Sequence, residues 1–239
     1  MCGYSQAAAR SSERIVKILN LYAGIGGNRK LWGDEHEITA VEYKPEIAAI
    51  YRDFFPNDEV VVADAHQYLL EHFGEFDFIW SSPPCQTHSR MNTANVLSPY
   101  KDNTRQLEVG GGVKPRYPNM ALYQEIIFLK HFYRGKWCVE NVMAYYQPLI
   151  KPVEFGKHWF WTNFQLPPLA TGKRNISPKH GTAADEMRKR AEMIGLDISG
   201  YGGVDKRLLL RNCVEPELGK HILDWAIKPW EPNLRDLLP

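Results

Sequence analysis

From Ile15 onward, short β-rich runs alternate with amphipathic stretches, and this alternation limits the folds open to the chain more than any other feature. Ile15–Leu21 has the pattern of a buried strand, followed by a glycine-rich turn and a helical segment from Gly27 to about Trp32. Ile38–Val41 is a second strand, and Pro45–Phe55 a helix with proline in its first turn. Val60–Ala63 is a third strand, His66–Phe73 a short helix, and Phe76–Trp80 a fourth strand ending in Ser-Ser-Pro-Pro-Cys. Ala121–Tyr133 is a helix and Trp137–Glu140 a fifth strand. Strands alternating with helices at this spacing imply βαβ units and a mostly parallel sheet.

The remaining chain is less regular. Asn92 to Pro118 is polar and carries three consecutive glycines, which predicts a long mobile loop. Trp159–Phe164 is aromatic and strand-like, and Gln165–Thr182 is a basic loop with Lys173, Arg174, Lys179 and His180. Ala183–Ile194 is a helix stopped by Gly195, and Pro216–Ile227 a last helix stopped by Pro229. We therefore expect residues 1–14 as a disordered leader and 15–164 as the main domain. Residues 165–206 form a short separate region, and 207–239 a segment that returns to the main domain.

At 239 residues the chain is long enough for one sizeable α/β domain with a small appendage. Twenty-nine basic residues against 28 acidic ones leave a net charge of +1, so bulk charge announces no nucleic-acid partner and any basic surface must be local. The four cysteines form no C-x-x-C pair, which argues against a metal site and against a disulfide framework, and suits a reducing intracellular setting. No apolar run approaches the roughly 18 residues of a membrane span.

Several residues able to do chemistry fall at the carboxyl ends of successive strands, where open α/β sheets bind ligands. After the first strand comes Asn20-Leu21-Tyr22-Ala23-Gly24-Ile25-Gly26-Gly27, whose glycines let backbone amides approach a ligand closely. Glu42 ends the second strand and Asp64 the third. A lone carboxylate in such a place is more often a solvated one. The fourth strand delivers Pro83-Pro84-Cys85-Gln86, in which two prolines stiffen the backbone beside one thiol. A thiol that attacks a ring carbon must be fixed yet exposed, which distinguishes Cys85 from Cys138 inside the fifth strand. Glu140-Asn141-Val142 ends that fifth strand and sets a carboxyl group facing the same pocket.

The ordered set Asn-Leu-Tyr-Ala-Gly-Ile-Gly-Gly, Val-Glu-Tyr, Ala-Asp-Ala, Pro-Pro-Cys-Gln and Glu-Asn-Val resembles the DNA (cytosine-5) methyltransferase family from Ile18 to Val142. Arg211-Asn212-Cys213-Val214 is similar to that family's final motif. The resemblance implies a Rossmann-like class I methyltransferase fold dependent on S-adenosyl-L-methionine, with a mostly parallel sheet and helices on both faces. It implies Cys85 as the nucleophile and Glu140 as the residue engaging cytosine N3. Lys157 in Gly156-Lys157-His158-Trp159-Phe160 stands where the family carries an arginine. Tyr22, Gly24 and Gly26 would cradle the cofactor's methionine part, Glu42 would bind its ribose and Asp64 its adenine amino group. Ala23, Gly27, Tyr43, Ala65, Pro84, Asn212 and Val214 would also bind the cofactor. Asn141 would buttress the pocket.

The implied partner is double-stranded DNA with the target cytosine flipped out, bound by a monomer in the cytoplasm of a restriction–modification or phage-type system. Ser89 and Arg90 would begin a loop closing over the base, with Arg90, Lys101, Arg105, Lys114 and Arg116 available to phosphates. Residues 165–206 would read the target. Transfer RNA as substrate, an inactive nucleic-acid-binding relative and, far behind, a nicotinamide oxidoreductase are the competing readings.

Overall fold

A computed structural model describes residues 15–90, 117–169 and 182–228. The expected leader (1–14), nearly all of the predicted Asn92–Pro118 loop, most of the basic Gln165–Thr182 loop and Pro229 lie outside the described residues.

Seven strands form one sheet in the order β3-β2-β1-β4-β5-β7-β6. They are β1 (Lys17–Leu21), β2 (Glu37–Glu42), β3 (Glu59–Val62), β4 (Phe78–Ser81), β5 (Lys136–Val142), β6 (Val153–Phe155) and β7 (His158–Thr162). The first five run parallel, and β7 joins β5 antiparallel. This order, with its reversed seventh strand, is the class I methyltransferase arrangement of the Rossmann-like fold. Strands β1 to β3 progress outward on one side, and β4 returns to the other side of β1. The crevice above β1 and β4 is therefore the topological switch point, where such sheets hold ligands.

The strand alternation sorts side chains onto two buried faces. Leu19, Leu21, Ile79 and Val139 face helices α2 (Ala65–His72) and α3 (Ala121–Phe132), which bring Leu69, Leu122, Ile126 and Leu129 to the same cluster. Ile18, Phe78, Trp80 and Cys138 face the opposite way, against Leu218, Ile222 and Leu223 of the last described helix (Pro216–Ile227). A third cluster joins Ala40 and helix α1 (Pro45–Phe54) to Ile194, Leu196, Ile198, Leu209 and Leu210. Those residues come from helix α4 (Ala183–Ile194), the segment after it, and helix α5 (Lys206–Asn212), so the last helix is α6.

Helix ends follow from local chemistry. Pro45 and Pro216 occupy first-turn positions, where the missing N–H is no loss. Asp64 caps α2 by accepting from the Gln67 amide at 2.9 Å. Thr182 and Asp185 form a reciprocal capping box on α4, and Gly195 closes it with φ +70°. The segment after the first strand is a single 3-10 turn, Asn28–Leu31, rather than a helix to Trp32. Two elements went unassigned in the sequence reading, α5 and β6. The β6–β7 connection is a two-residue hairpin turn, Gly156-Lys157, with Gly156 at φ +57°.

Candidate active site

Five strand ends and the segment around Asn212 converge on one cavity of about 450 Å³, within the range of cofactor pockets. The turn after β1 forms its floor. Tyr22 holds a left-handed backbone (φ +57°), rare for a bulky residue, and Gly24 (φ +56°) and Gly26 (φ +82°) complete the reversal. A Cβ built on Gly24 would meet no heavy atom within 4 Å, so this glycine opens onto the cavity. Gly26 does the reverse. It backs onto α1, where a Cβ would lie 2.3 Å from the Phe55 ring, and it does not line the cavity. Gly27 permits a third approach, because a Cβ there would stand 2.7 Å from Cys213 Cβ and 2.8 Å from the Val214 carbonyl. That contact seats Asn212 and Val214 beside the first turn.

Glu42 ends β2 with each carboxylate oxygen on a backbone amide, Oε2 on Gly24 and Oε1 on Lys44, both at 3.0 Å. A carboxylate has about four lone-pair positions, so two bonds leave acceptor capacity for ligand hydroxyls. Tyr43, Asp64 and Ala65 line the same end, with Ile47 and Leu209 as apolar walls. Tyr22 reaches the other way and donates its hydroxyl to Glu125 Oε1 at 2.6 Å. Glu125 on α3 is fully buried and also takes the Ser81 hydroxyl at 2.5 Å and faces His66 Nδ1 at 3.0 Å.

Beyond β4 the chain runs Ser82-Pro83-Pro84-Cys85 along the cavity rim. Cys85 heads a tight turn, its carbonyl accepting from the amides of His88 and Ser89, both at 3.0 Å. The following residues are tied to the segment after β5, through Tyr145 N–H to His88 O at 3.1 Å and Arg90 Nε to Ala144 O at 3.1 Å. From the other side, Asn141 donates to the Pro83 carbonyl at 2.8 Å. These ties hold the thiol beside Glu140. Both line the cavity, and burial first, then the Glu140 charge, pushes the Cys85 thiol above its ordinary range.

Of the residues expected from sequence, the cavity gathers Cys85, Glu140, Tyr22, Ala23, Gly24, Gly27, Glu42, Tyr43, Asp64, Ala65, Pro84, Asn212 and Val214. Lys157 is not among them. The antiparallel register sets Phe160 opposite Glu140 and His158 opposite Val142, so His158 shares the Glu140 face while Lys157 sits in the exposed hairpin turn. His158 lines the cavity with its Nδ1 2.6 Å from Glu140 Oε1. Counting alternate residues back from a strand opposite Glu-Asn-Val would have selected it. Arg211, at the end of helix α5, reaches Glu186 on α4 at 3.8 Å.

Residues 16–102 match the family described as C-5 cytosine-specific DNA methylase, a span that contains the glycine turn, Glu42, Asp64 and Cys85. Over that span the chain is similar to the cytosine-C5 methyltransferase family. A curated relative, the tRNA (cytosine(38)-C(5))-methyltransferase of Rattus norvegicus, is 26% identical over 95 residues. That stretch is 37% of this chain and 24% of the relative, so the match spans about a quarter of that protein. Among solved structures, a DNMT2 variant of Spodoptera frugiperda is 26% identical, covering 53% of this chain and 35% of that one, with a TM-score of 0.33. An S-adenosylmethionine-dependent methyltransferase from Agrobacterium tumefaciens is 12% identical over 56% of this chain and 41% of its own, with a TM-score of 0.36.

The cofactor of the family is S-adenosylmethionine, and the cavity has the donor set to hold it. Gly24 leaves open space beside the turn, Glu42 offers acceptors for ribose hydroxyls, and Asp64 and Ala65 stand beside an apolar wall suited to a purine.

Proposed function

We propose that this protein is a DNA (cytosine-5) methyltransferase whose nucleophile is Cys85. The observation that carries this reading is the placement of Cys85 and Glu140 on adjacent strand tips, lining one cavity with the glycine turn and Glu42. S-adenosylmethionine, when bound, supplies a methyl group made electrophilic by its sulfonium. Everything else falls to the chain's own side chains.

Carbon 5 of cytosine is a weak nucleophile, so the ring must be activated first. The Cys85 thiolate adds to carbon 6, and electron density moves toward carbon 5 and N3. Glu140 meets N3 and stabilises the charge that develops there, an interaction stronger in the transition state than in the ground state. After carbon 5 is methylated, loss of its proton expels Cys85 and restores the aromatic ring. Neither carbon 5 nor carbon 6 is open to attack inside a stacked duplex, so the base must leave the stack. A single monomer holds every group named here. Arg90 and the stretch that follows it would meet the phosphates flanking the extruded base, and residues 165–206 would read the target.

A second reading keeps the chemistry and exchanges the polymer for transfer RNA. The name of the rat relative favours it. Methyl label offered with duplex DNA and with transfer RNA separates the two: incorporation into DNA supports the primary reading, and incorporation into transfer RNA alone replaces it. A covalent adduct with DNA containing 5-fluorocytosine traps the nucleophile, because fluorine at carbon 5 blocks the final elimination. Absence of both label and adduct with either polymer would sink the cytosine reading.

A further inference from the structure

The site contains a titratable side chain that the chemistry above leaves unused. His158 opens β7, lines the cavity, and stands with Nδ1 2.6 Å from Glu140 Oε1. The side chains are largely covered, 22% exposed for His158 and 8% for Glu140. The bond uses Oε1 and leaves Oε2 for a ligand. A carboxylate and an imidazole at this distance share a proton in one short hydrogen bond. Other charged groups bear on the imidazole from the elements around it. Burial, the largest single influence, opposes its charged form, as does Lys157 in the hairpin turn, but Glu140 from β5 and Glu215 at the start of α6 favour it, and the balance lies above the ordinary histidine range. Cys85 faces the pair from the loop after β4.

We propose that His158 is the proton reservoir for Glu140, supplying through that carboxyl group the proton that arrives on N3 as Cys85 adds to the ring. This rests on the cytosine-C5 reading of the site. The step balances. The thiolate lone pair forms the S–C6 bond, and the displaced π pair moves through the ring to N3. His158 Nδ1 passes its proton to the Glu140 carboxylate, which hands it on to N3. The imidazolium charge and the thiolate charge thus cancel within the cavity, leaving a neutral adduct, a neutral imidazole and a carboxylate. Expulsion of Cys85 returns the proton along the same path. His158 acts through Glu140 rather than on the base, so it is a positioning residue. A lysine or arginine in the same place would hold charge but would not release a proton near neutral pH.

The pH profile of the full chain tests this. The active form needs a thiolate and a charged imidazole together, so wild-type kcat/KM rises and then falls with pH, whichever group titrates first. His158→Gln keeps a hydrogen-bond donor near Glu140 but cannot titrate. Its kcat should fall about 100-fold, with KM for nucleic acid nearly unchanged, and the alkaline fall should vanish. A variant that melts like wild type yet retains the alkaline fall overturns the relay. An NMR titration of the histidine ring, which requires no turnover, gives a second reading. The His158 midpoint should drop when Glu140 becomes Gln, and an unchanged midpoint overturns the coupling. If wild type methylates cytosine while His158→Gln keeps the wild-type profile, only the relay fails. If wild type methylates no cytosine in any nucleic acid, the reading of the site fails and the relay fails with it.

Discussion

Burial and the neighbouring Glu140 charge hold the Cys85 thiol above its ordinary range, so near neutral pH most of it is protonated. A nucleophile in that state must lose its proton as the base arrives, and turnover should rise with pH over the range where the thiolate fraction grows. Cys85→Ala should abolish both methyl transfer and the 5-fluorocytosine adduct while leaving cofactor affinity by calorimetry within about twofold. The cofactor end of the cavity is built from other residues, so a large loss of affinity in this variant would mean that the two ends are not separate. Glu140→Gln should lower kcat by about 10²–10⁴-fold, the usual scale for a positioned acid, and single-turnover kinetics would reveal an unaffected rate. His158 differs from both because its charge is conditional. A group whose folded pKa is raised stabilises the fold fully below its ordinary pKa. That stability is lost as pH rises through the folded value. The direction for His158 is upward, so loosening between β5 and β7 belongs to the alkaline side.

At the scale of elements, glycines set how closely segments approach. Helix α6 lies against the turn after β1, where a Cβ on Gly219 would fall 2.2 Å from the Asn28 carbonyl oxygen. Backbone cannot give way as a flexible side chain can, so Gly219→Ala should cost about 1–3 kcal/mol, read as a lower denaturation midpoint at unchanged m-value. An unaltered midpoint would mean that α6 shifts freely on the turn. A different constraint ties α3 to the cavity. Glu125 is fully buried and meets Tyr22, Ser81 and His66. Burial and this carboxylate push the Tyr22 hydroxyl far above its usual range, so it stays protonated and acts as a donor. Tyr22→Phe tests what the hydroxyl adds. Stripping one donor from a buried carboxylate should cost about 1–3 kcal/mol, and chemical denaturation would measure it.

For the molecule as a whole, one side of the sheet is closed from within the parallel region and the other largely from beyond it. Helices α2 and α3 cover the first face, whereas α4, α5 and α6, from residues beyond 182, join α1 on the other. The joint between α4 and α5 adds an ionic cluster to its apolar contacts. Glu186, only 5% exposed, accepts from Arg190 Nε at 3.1 Å and from Arg207 Nη2 at 2.7 Å. Hydrogen bonding to Arg207, against the cost of burial, holds its carboxyl below the ordinary range. A depressed carboxylate stabilises above its unfolded pKa and loses that contribution as pH falls through the folded value. Acid should therefore release α4 from α5. Glu186→Gln should flatten the acid limb of thermal stability, and a variant with the wild-type acid limb would assign the loss elsewhere. Among the described residues no helix is long and apolar enough to cross a membrane.

The parallel core was legible because its signals are local. Leu19 and Ile79 fall in short apolar runs, Pro45 and Gly195 mark helix ends, and Tyr22-Ala23-Gly24 follows the first strand directly. The same holds for Cys85 and Glu140, whose positions at strand tips follow once the strands are ordered. Helix α5 and strand β6 were not legible. Lys206–Asn212 is seven residues long and Val153–Phe155 three, too short for a periodicity to declare itself, and each is held by what it packs against. Lys157 and His158 show the limit most plainly. Both follow Gly156 and both can carry positive charge, and the alternation that separates them has meaning only once a strand is known to lie opposite Glu-Asn-Val. Only pairing across β5 and β7, which is antiparallel and advances the side chains two by two, turns His158 toward Glu140 and leaves Lys157 in the turn. Residue chemistry and strand order are written along the chain, but which neighbour a side chain meets across a sheet is fixed by register, and register exists only once distant segments have packed.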